Sequence, residues 1–419
     1  MSRLKFRHAI AAGAMLGAAL QVGALPSNAA STGPNVIAVH QNGAVDVPGN
    51  STLGTIASVS LPAGNWLITA TATAIGTTGI NRLECQLIAG SEFYKSRTLP
   101  SATGVSSYQP IVLILAHHFA KKGTAYLKCY TDGWLGADLI RDVHLTAVEV
   151  GKLTDGATTT GTGSPNAVYA QDPNLQGWTN NSYNAVQTLT LPAGTWLVQA
   201  AAWGTGANDG DRIDCRLDSS LTTADEFFTN FQNFRERNLS LEGVVYVPVS
   251  DEITFDCKDT DSLWLIDGSA MSAMQVGTFK YGPLGGSMTT TGSGSPIVVG
   301  GYSNAGGISD QTTLATIGSL SLGAGSWFVT SRLSFQAGAS TPIVTCQTKL
   351  SNAKDQGRVI LDTGNDLYNF SEMSLTKKVA STSNSTIACN ESAGTLGAGY
   401  FDLQVLAIKA GTLTDTDLD

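Results

Sequence analysis

The six cysteines of this 419-residue chain carry the clearest chemical spacing in it. They fall as Cys85 and Cys129, Cys215 and Cys257, and Cys346 and Cys389, separated by 44, 42 and 43 residues. Both members of a pair sit at the apolar parity of an alternating segment. Leu83, Cys85 and Leu87 alternate with polar residues, as do Leu127 and Cys129; Ile213, Cys215 and Leu217 answer to Ile253, Phe255 and Cys257. Residues two apart on a strand face one side, so the two thiols of a pair point into the same core. In an oxidising compartment this predicts three disulfides, each closing a loop worth about 4 kcal/mol in the chain-entropy model. Zinc is disfavoured, because no Cys-x-x-Cys pair is present and no histidine recurs beside the cysteines.

Other side chains could bind rather than react. The segments Asn208-Asp-Gly-Asp-Arg-Ile-Asp and Asp256-Cys-Lys-Asp-Thr-Asp place Asp209, Asp211, Asp214, Asp259 and Asp261 in or beside loops that flank the middle cysteine pair. Oxygen-rich loops of that kind could hold calcium, the one cofactor the sequence suggests; the plainer alternative is a solvated acidic surface. Trp134 and Trp264 follow the second cysteine of their pairs, where a loop could stack a sugar ring on an indole. Trp203, Tyr130 and Tyr169 also fail to recur in every copy and join them as candidates for exposure. Histidine gives no catalytic pattern: His40, His117, His118 and His144 all lie in the first third, and His8 lies near the N-terminus. With no nucleophile elbow, zincin motif or phosphate loop, the chain is not expected to be an enzyme.

These residues are spaced by a repeat near 130. Leu61-Pro-Ala-Gly-Asn-Trp-Leu-Ile returns as Leu191-Pro-Ala-Gly-Thr-Trp-Leu-Val and as Leu322-Gly-Ala-Gly-Ser-Trp-Phe-Val. Each motif reads as a turn followed by a strand, with Trp66, Ile68 and Ala70 on the core parity and Leu67, Thr69, Thr71 and Thr73 on the other. Seven or eight short strands per copy, with no helical periodicity, predict an all-β chain of three tandem antiparallel β-sandwich domains, jelly-roll-like. The modules span 30–153, 167–283 and 297–419. Thr158-Thr-Thr-Gly-Thr-Gly-Ser-Pro and Thr289-Thr-Thr-Gly-Ser-Gly-Ser-Pro lie in linkers at 154–166 and 284–296, read as flexible or semi-extended connectors. Asp415, Asp417 and Asp419 read as a frayed acidic tail.

The N-terminus carries Arg3, Lys5 and Arg7, an apolar run from Ala9 to Leu25, and small residues to Ala29, which is the order of a secretory signal peptide over 1–29. The expected location is therefore secreted, extracellular or periplasmic, with no membrane span after cleavage. Removing the signal leaves 21 basic and 33 acidic residues, a net charge of −12, of which the segment 167–283 holds −9. A polyanion would be repelled, so nucleic acid is excluded as a partner.

The Pro-Ala-Gly-x-Trp strand, the cysteine strands and the Ala-rich closing strand from Leu145 resemble secreted bacterial tandem jelly-roll modules, similar in pattern to the C1q/tumour-necrosis-factor class. The resemblance implies ten-stranded sandwiches that tend to form trimers, hence a pseudo-trimer within one chain or a homo-oligomer. The expected function is an exported, non-enzymatic protein that presents three disulfide-stapled modules to a glycan, an envelope component or a protein. The alternatives are a structural subunit of a surface layer or appendage, and a secreted hydrolase with its carboxylates in the acidic middle module.

Overall fold

A computed structural model describes residues 33–49, 51–76, 82–98, 107–132, 139–174, 176–178, 182–206, 212–219, 225–230, 236–259, 264–308, 313–336, 343–360, 368–392 and 398–418. The signal-like segment 1–29 lies outside them. Every described element is a β-strand, and three tandem sandwiches are built from them. No described helix is long and apolar enough to cross a membrane.

Module 1 contains β1 (Val36–Gln41), β2 (Val45–Asp46), β3 (Gly54–Leu61), β4 (Gly64–Gly76), β5 (Leu83–Ala89), β6 (Glu92–Thr98), β7 (Ser107–Phe119), β8 (Gly123–Thr131) and β9 (Leu139–Val150). A hairpin follows, β10 (Lys152–Asp155) and β11 (Thr158–Gly161). Module 2 repeats the order as β12 (Asn166–Asp172), β13 (Gln176–Trp178), β14 (Asn184–Leu191), β15 (Gly194–Gly206), β16 (Arg212–Ser219), β17 (Asp225–Asn230), β18 (Glu236–Val247), β19 (Asp251–Asp259) and β20 (Trp264–Val276), then the hairpin β21 (Thr278–Pro283) and β22 (Thr289–Gly292). Module 3 comprises β23 (Ile297–Ser303), β24 (Gly306–Gly307), β25 (Ala315–Leu322), β26 (Gly325–Gln336), β27 (Ile343–Leu350), β28 (Ala353–Ile360), β29 (Tyr368–Val379), β30 (Ser383–Ser392) and β31 (Gly399–Ala410), closed by β32 (Leu413–Asp417).

In each module one sheet has four strands, in the orders β3-β8-β5-β6, β14-β19-β16-β17 and β25-β30-β27-β28. The facing sheet is centred on the pairs β9-β4, β20-β15 and β31-β26. The repeated tryptophan anchors the hairpin between the two sheets. The indole Nε1 of Trp66, Trp196 and Trp327 donates to the carbonyl of Pro62, Pro192 and Gly323, at 3.2, 2.9 and 2.8 Å. The glycine two residues before each indole has φ near +150°, and a Cβ on Gly194 would lie 2.9 Å from Gln275 and only 3.3 Å from the Trp196 ring. Only glycine therefore fits the turn that delivers the indole.

Both faces of the central strands are buried. Trp66, Ile68 and Ala70 fill the sandwich of module 1, while Leu67, Thr69, Thr71 and Thr73, on the other parity, are covered as well. What covers them is the other two modules. Leu67, Leu197 and Phe328, each the residue after the repeated tryptophan, meet Val148, Met274 and Ile408 around one small internal cavity. Tyr94 reaches from module 1 to the Ala201 carbonyl in module 2, 3.1 Å away; Thr330 in module 3 donates to Glu242 in module 2 at 2.6 Å; Thr71 meets Ser374 at 3.2 Å.

The segments read as flexible connectors form strands instead. The strand after each closing strand leaves its own module and pairs in parallel with the first strand of the next: β10 with β12, β21 with β23, and β32 with β1. The acidic C-terminal tail is thus ordered as β32 over Leu413–Asp417. Residues 31–419 form one compact unit.

Candidate functional site on the outer face of module 2

The three disulfides form as the spacing predicts: Cys85–Cys129, Cys215–Cys257 and Cys346–Cys389, with no free cysteine. Each joins directly opposed residues of adjacent antiparallel strands in the four-stranded sheet, with Cα atoms 4.1 Å apart, and all six residues are buried. Three disulfides suggest an oxidising, extracytoplasmic environment.

With Cys215 facing the core, the alternate residues of β16 lie on the opposite face of the sheet, Asp214 buried there and Arg216 and Asp218 half-buried. They are matched across the ladder by Lys258 opposite Asp214 and by Asp256 opposite Arg216. Lys258 Nζ lies 3.5 Å from Asp214, and Arg216 Nη2 lies 2.5 Å from Asp218 and 3.6 Å from Asp256. The Tyr183 ring lies beside both cations, 4.0 Å from the Arg216 guanidinium carbon and 4.5 Å from Lys258 Nζ. Toward the β18–β19 turn this charged row opens into a groove of about 520 Å³, lined by Thr190, Asp218, Ser219, Ser250, Asp251, Glu252 and Thr254. Every lining side chain carries a carboxylate or a hydroxyl. Carboxylates accept hydrogen bonds and hydroxyls both donate and accept, so the groove is equipped for a ligand rich in hydroxyl groups.

The groove belongs to module 2. Counted from the cysteines, its Asp218, Asp251 and Glu252 correspond to Ile88, Gly123 and Thr124 in module 1 and to Lys349, Ser383 and Asn384 in module 3. Sequence reasoning passed over these three acids because Asp218 lies within β16 and Asp251 and Glu252 open β19, away from the loops that drew attention to the cysteine-flanking carboxylates. The signal that finds them is the same comparison of copies, applied to non-recurring positions.

Of the five carboxylates considered for calcium, only Asp214 and Asp259 lie among the described residues. Asp209, Asp211 and Asp261 lie outside the described residues. Asp214 and Asp259 occupy opposite parities of adjacent strands: Asp259 shares the core side with Cys257, whereas Asp214 is on the outer face with Lys258. They cannot ligate one ion together, and no cluster of three potential ligands exists among the described residues. Trp134 lies outside the described residues. Trp264 opens β20 opposite Trp178 and Gly206, at the other end of the module from the groove.

Two residues considered for exposure are interior. Trp203 is buried beneath Arg97 and Lys95 of module 1, whose charges lie 5.2 and 5.8 Å from its ring. Tyr169 is buried and donates to the Ile114 carbonyl across the module 1–2 boundary at 3.2 Å. Glu84 is buried as well. Burial pushes its carboxyl up, but hydrogen bonds from Gln86 and Arg97 outweigh this and hold it below the usual range. Nearby Glu236 is pushed up by burial, even though it accepts from Arg82 of module 1 at 2.9 Å. Of these pairs, Arg82–Glu236 crosses from module 1 to module 2, whereas Glu84 is paired within module 1.

No family model matches the chain, and no curated protein is similar to it in sequence. Among solved structures, the triple jelly-roll protein of an archaeal virus turret covers 91% of this chain and 92% of its own, at 8% identity and a TM-score of 0.20. The protein of a T13 infectious bursal disease virus particle covers 86% and 71%, at 11% identity and 0.23. The tandem CBM22 domains of Paenibacillus barcinonensis Xyn10C cover 58% and 93%, at 9% identity and 0.19.

Proposed function

We propose that the chain is an exported, non-enzymatic binding protein whose module 2 takes a hydroxyl-rich ligand, a glycan or envelope polysaccharide, on its outer face. The observation that carries this reading is the groove of carboxylates and hydroxyls beside Asp218, Asp251 and Glu252, unmatched in the other two copies of the same fold. Rigid strands fix the groove's floor, and its three acidic positions differ in the other two copies. Its negative charge selects against uronic and sialic acids and favours neutral or amino sugars. The paired cations of the row above it, Arg216 and Lys258, keep the surrounding carboxylates from repelling one another.

The test is binding of the mature protein to an array of neutral, amino and anionic glycans, with calcium and with a chelator, against the variant Asp251→Asn/Glu252→Gln. Binding of neutral or amino sugars, at least tenfold weaker in the variant and indifferent to the chelator, is the expected result. Binding unaffected by the substitutions, or turnover of a glycan by the wild type, would overturn the reading.

A further inference from the structure

Three parallel strand pairings join the modules in a cycle, and one differs from the others. β10 ends at Asp155 and its acceptor β12 begins at Asn166; β21 ends at Pro283 and β23 begins at Ile297. The hairpins β10–β11 and β21–β22 span those short gaps, so donor and acceptor necessarily belong to one molecule. β32 and its acceptor β1 stand at opposite ends of the chain, Leu413 paired with Val36 through to Asp417 with His40, and no peptide links them locally.

The third donor is also the most weakly embedded. Leu153 anchors β10 and is fully buried, and β21 is held by a stack of Phe279, Tyr281 and Tyr302 with ring centroids 5.1 to 5.2 Å apart. In β32 only Leu413 is even half-buried, and Thr414 through Asp417 are exposed. Leu413 packs on the edge of the core, and the other side-chain contacts are polar: Asp415 with His40 Nδ1 at 3.0 Å and with Thr376, and Asp417 with His40 Nε2 at 3.7 Å. Asp417 is exposed, and its ion pair adds little to stability. The remainder of the module 3–module 1 boundary does not depend on β32, since β28 packs on β7 and β9 and places Asp355 2.7 Å from His144. β32 can therefore detach while the cycle of modules persists, leaving the edge of β1 with unpaired backbone groups.

We propose that β32 is an exchangeable strand through which two copies of this chain pair, the β32 of each copy adding in parallel to the β1 of the other. A second copy is the occupant because it alone brings the same donor sequence in the same register; Gly411-Thr412 between β31 and β32 is the hinge, and its backbone bonds, Gly411 N to the Pro34 carbonyl and Val36 N to the Thr412 carbonyl, both 2.9 Å, open when the strand exchanges. Exchange of an identical element makes and breaks the same contacts, so the dimer forms at little net cost once concentration favours it.

The test uses three variants of the full mature chain that report the β1–β32 register covalently. Ile37 and Thr414 are register partners. Ile37→Cys and Thr414→Cys are made singly and together. After equal incubation at high concentration in sub-denaturing guanidinium and return to buffer, a mixture of the single variants should give an interchain disulfide at least tenfold above either variant alone. The double variant should oxidise within one chain, which verifies that the substituted proteins fold with the strand in place. Wild-type protein treated identically should show a dimer by light scattering that the oxidised double variant lacks and the reduced one regains. A mixture showing no excess interchain disulfide, or a dimer equally abundant in the oxidised double variant, would overturn the proposal.

Discussion

Glu242 and Glu372 are neighbours at the module 2–module 3 boundary, where module 1 places Ile114 and Val112 at the corresponding positions. Glu242 is buried and accepts from Thr330 and Gln199; Ser240 donates to Glu372 at 2.5 Å. Burial, and then the Glu242 charge, push the Glu372 carboxyl up to about 7, against the pull of Ser240 and Arg332. Asp142, at the module 3–module 1 boundary, is raised to about 6 by burial. A carboxyl whose folded value exceeds its unfolded one binds protons more tightly in the native state. Its contribution to stability is full below about pH 4.5 and is lost as pH rises through 7. Denaturant midpoints should therefore fall between pH 5 and pH 8. Glu372→Gln should stabilise the protein by about 1 kcal/mol at pH 8 and flatten that slope. A midpoint unchanged by the substitution at pH 8 would show that the two carboxyls do not interact.

Strands show where the sequence was legible. The tryptophan hairpins and the cysteine strands announced themselves because their signal is local alternation, repeated three times. Trp327→Phe keeps most of the apolar volume but leaves the Gly323 carbonyl without its indole donor, so a loss of about 1 kcal/mol in thermal or chemical unfolding is expected. The Thr-rich face of β4 carries no mark in the sequence of what it packs on; its burial by the other modules is a tertiary fact that alternation does not encode. For the same reason Thr158–Gly161 and Thr289–Gly292 read as linkers. Their pairing depends on hairpins whose second partner is the first strand of the next module, and a Thr/Gly segment carries no hydrophobic mark of it. The groove residues Asp218, Asp251 and Glu252 were visible only as departures between copies, and the charge excess of module 2 pointed to the cysteine-flanking loops instead.

At the scale of the molecule, three sandwiches of one chain are locked in a cycle: each donates a strand to the next, and the central sheets bury their second faces against one another. Without that cycle, Leu67, Leu197 and Phe328 would stand on exposed sheet faces and each module would present a large apolar patch. The cycle also gives the two ends of the chain a shared role, since β1 and β32 complete the third junction. Small-angle X-ray scattering of the mature chain in dilute solution tests this most directly. Chain length alone sets a radius of gyration of about 21 Å for one compact body of this size. A value near that is the predicted result. A markedly larger radius with the profile of a rod, as three independent modules on flexible connectors would give, would contradict it.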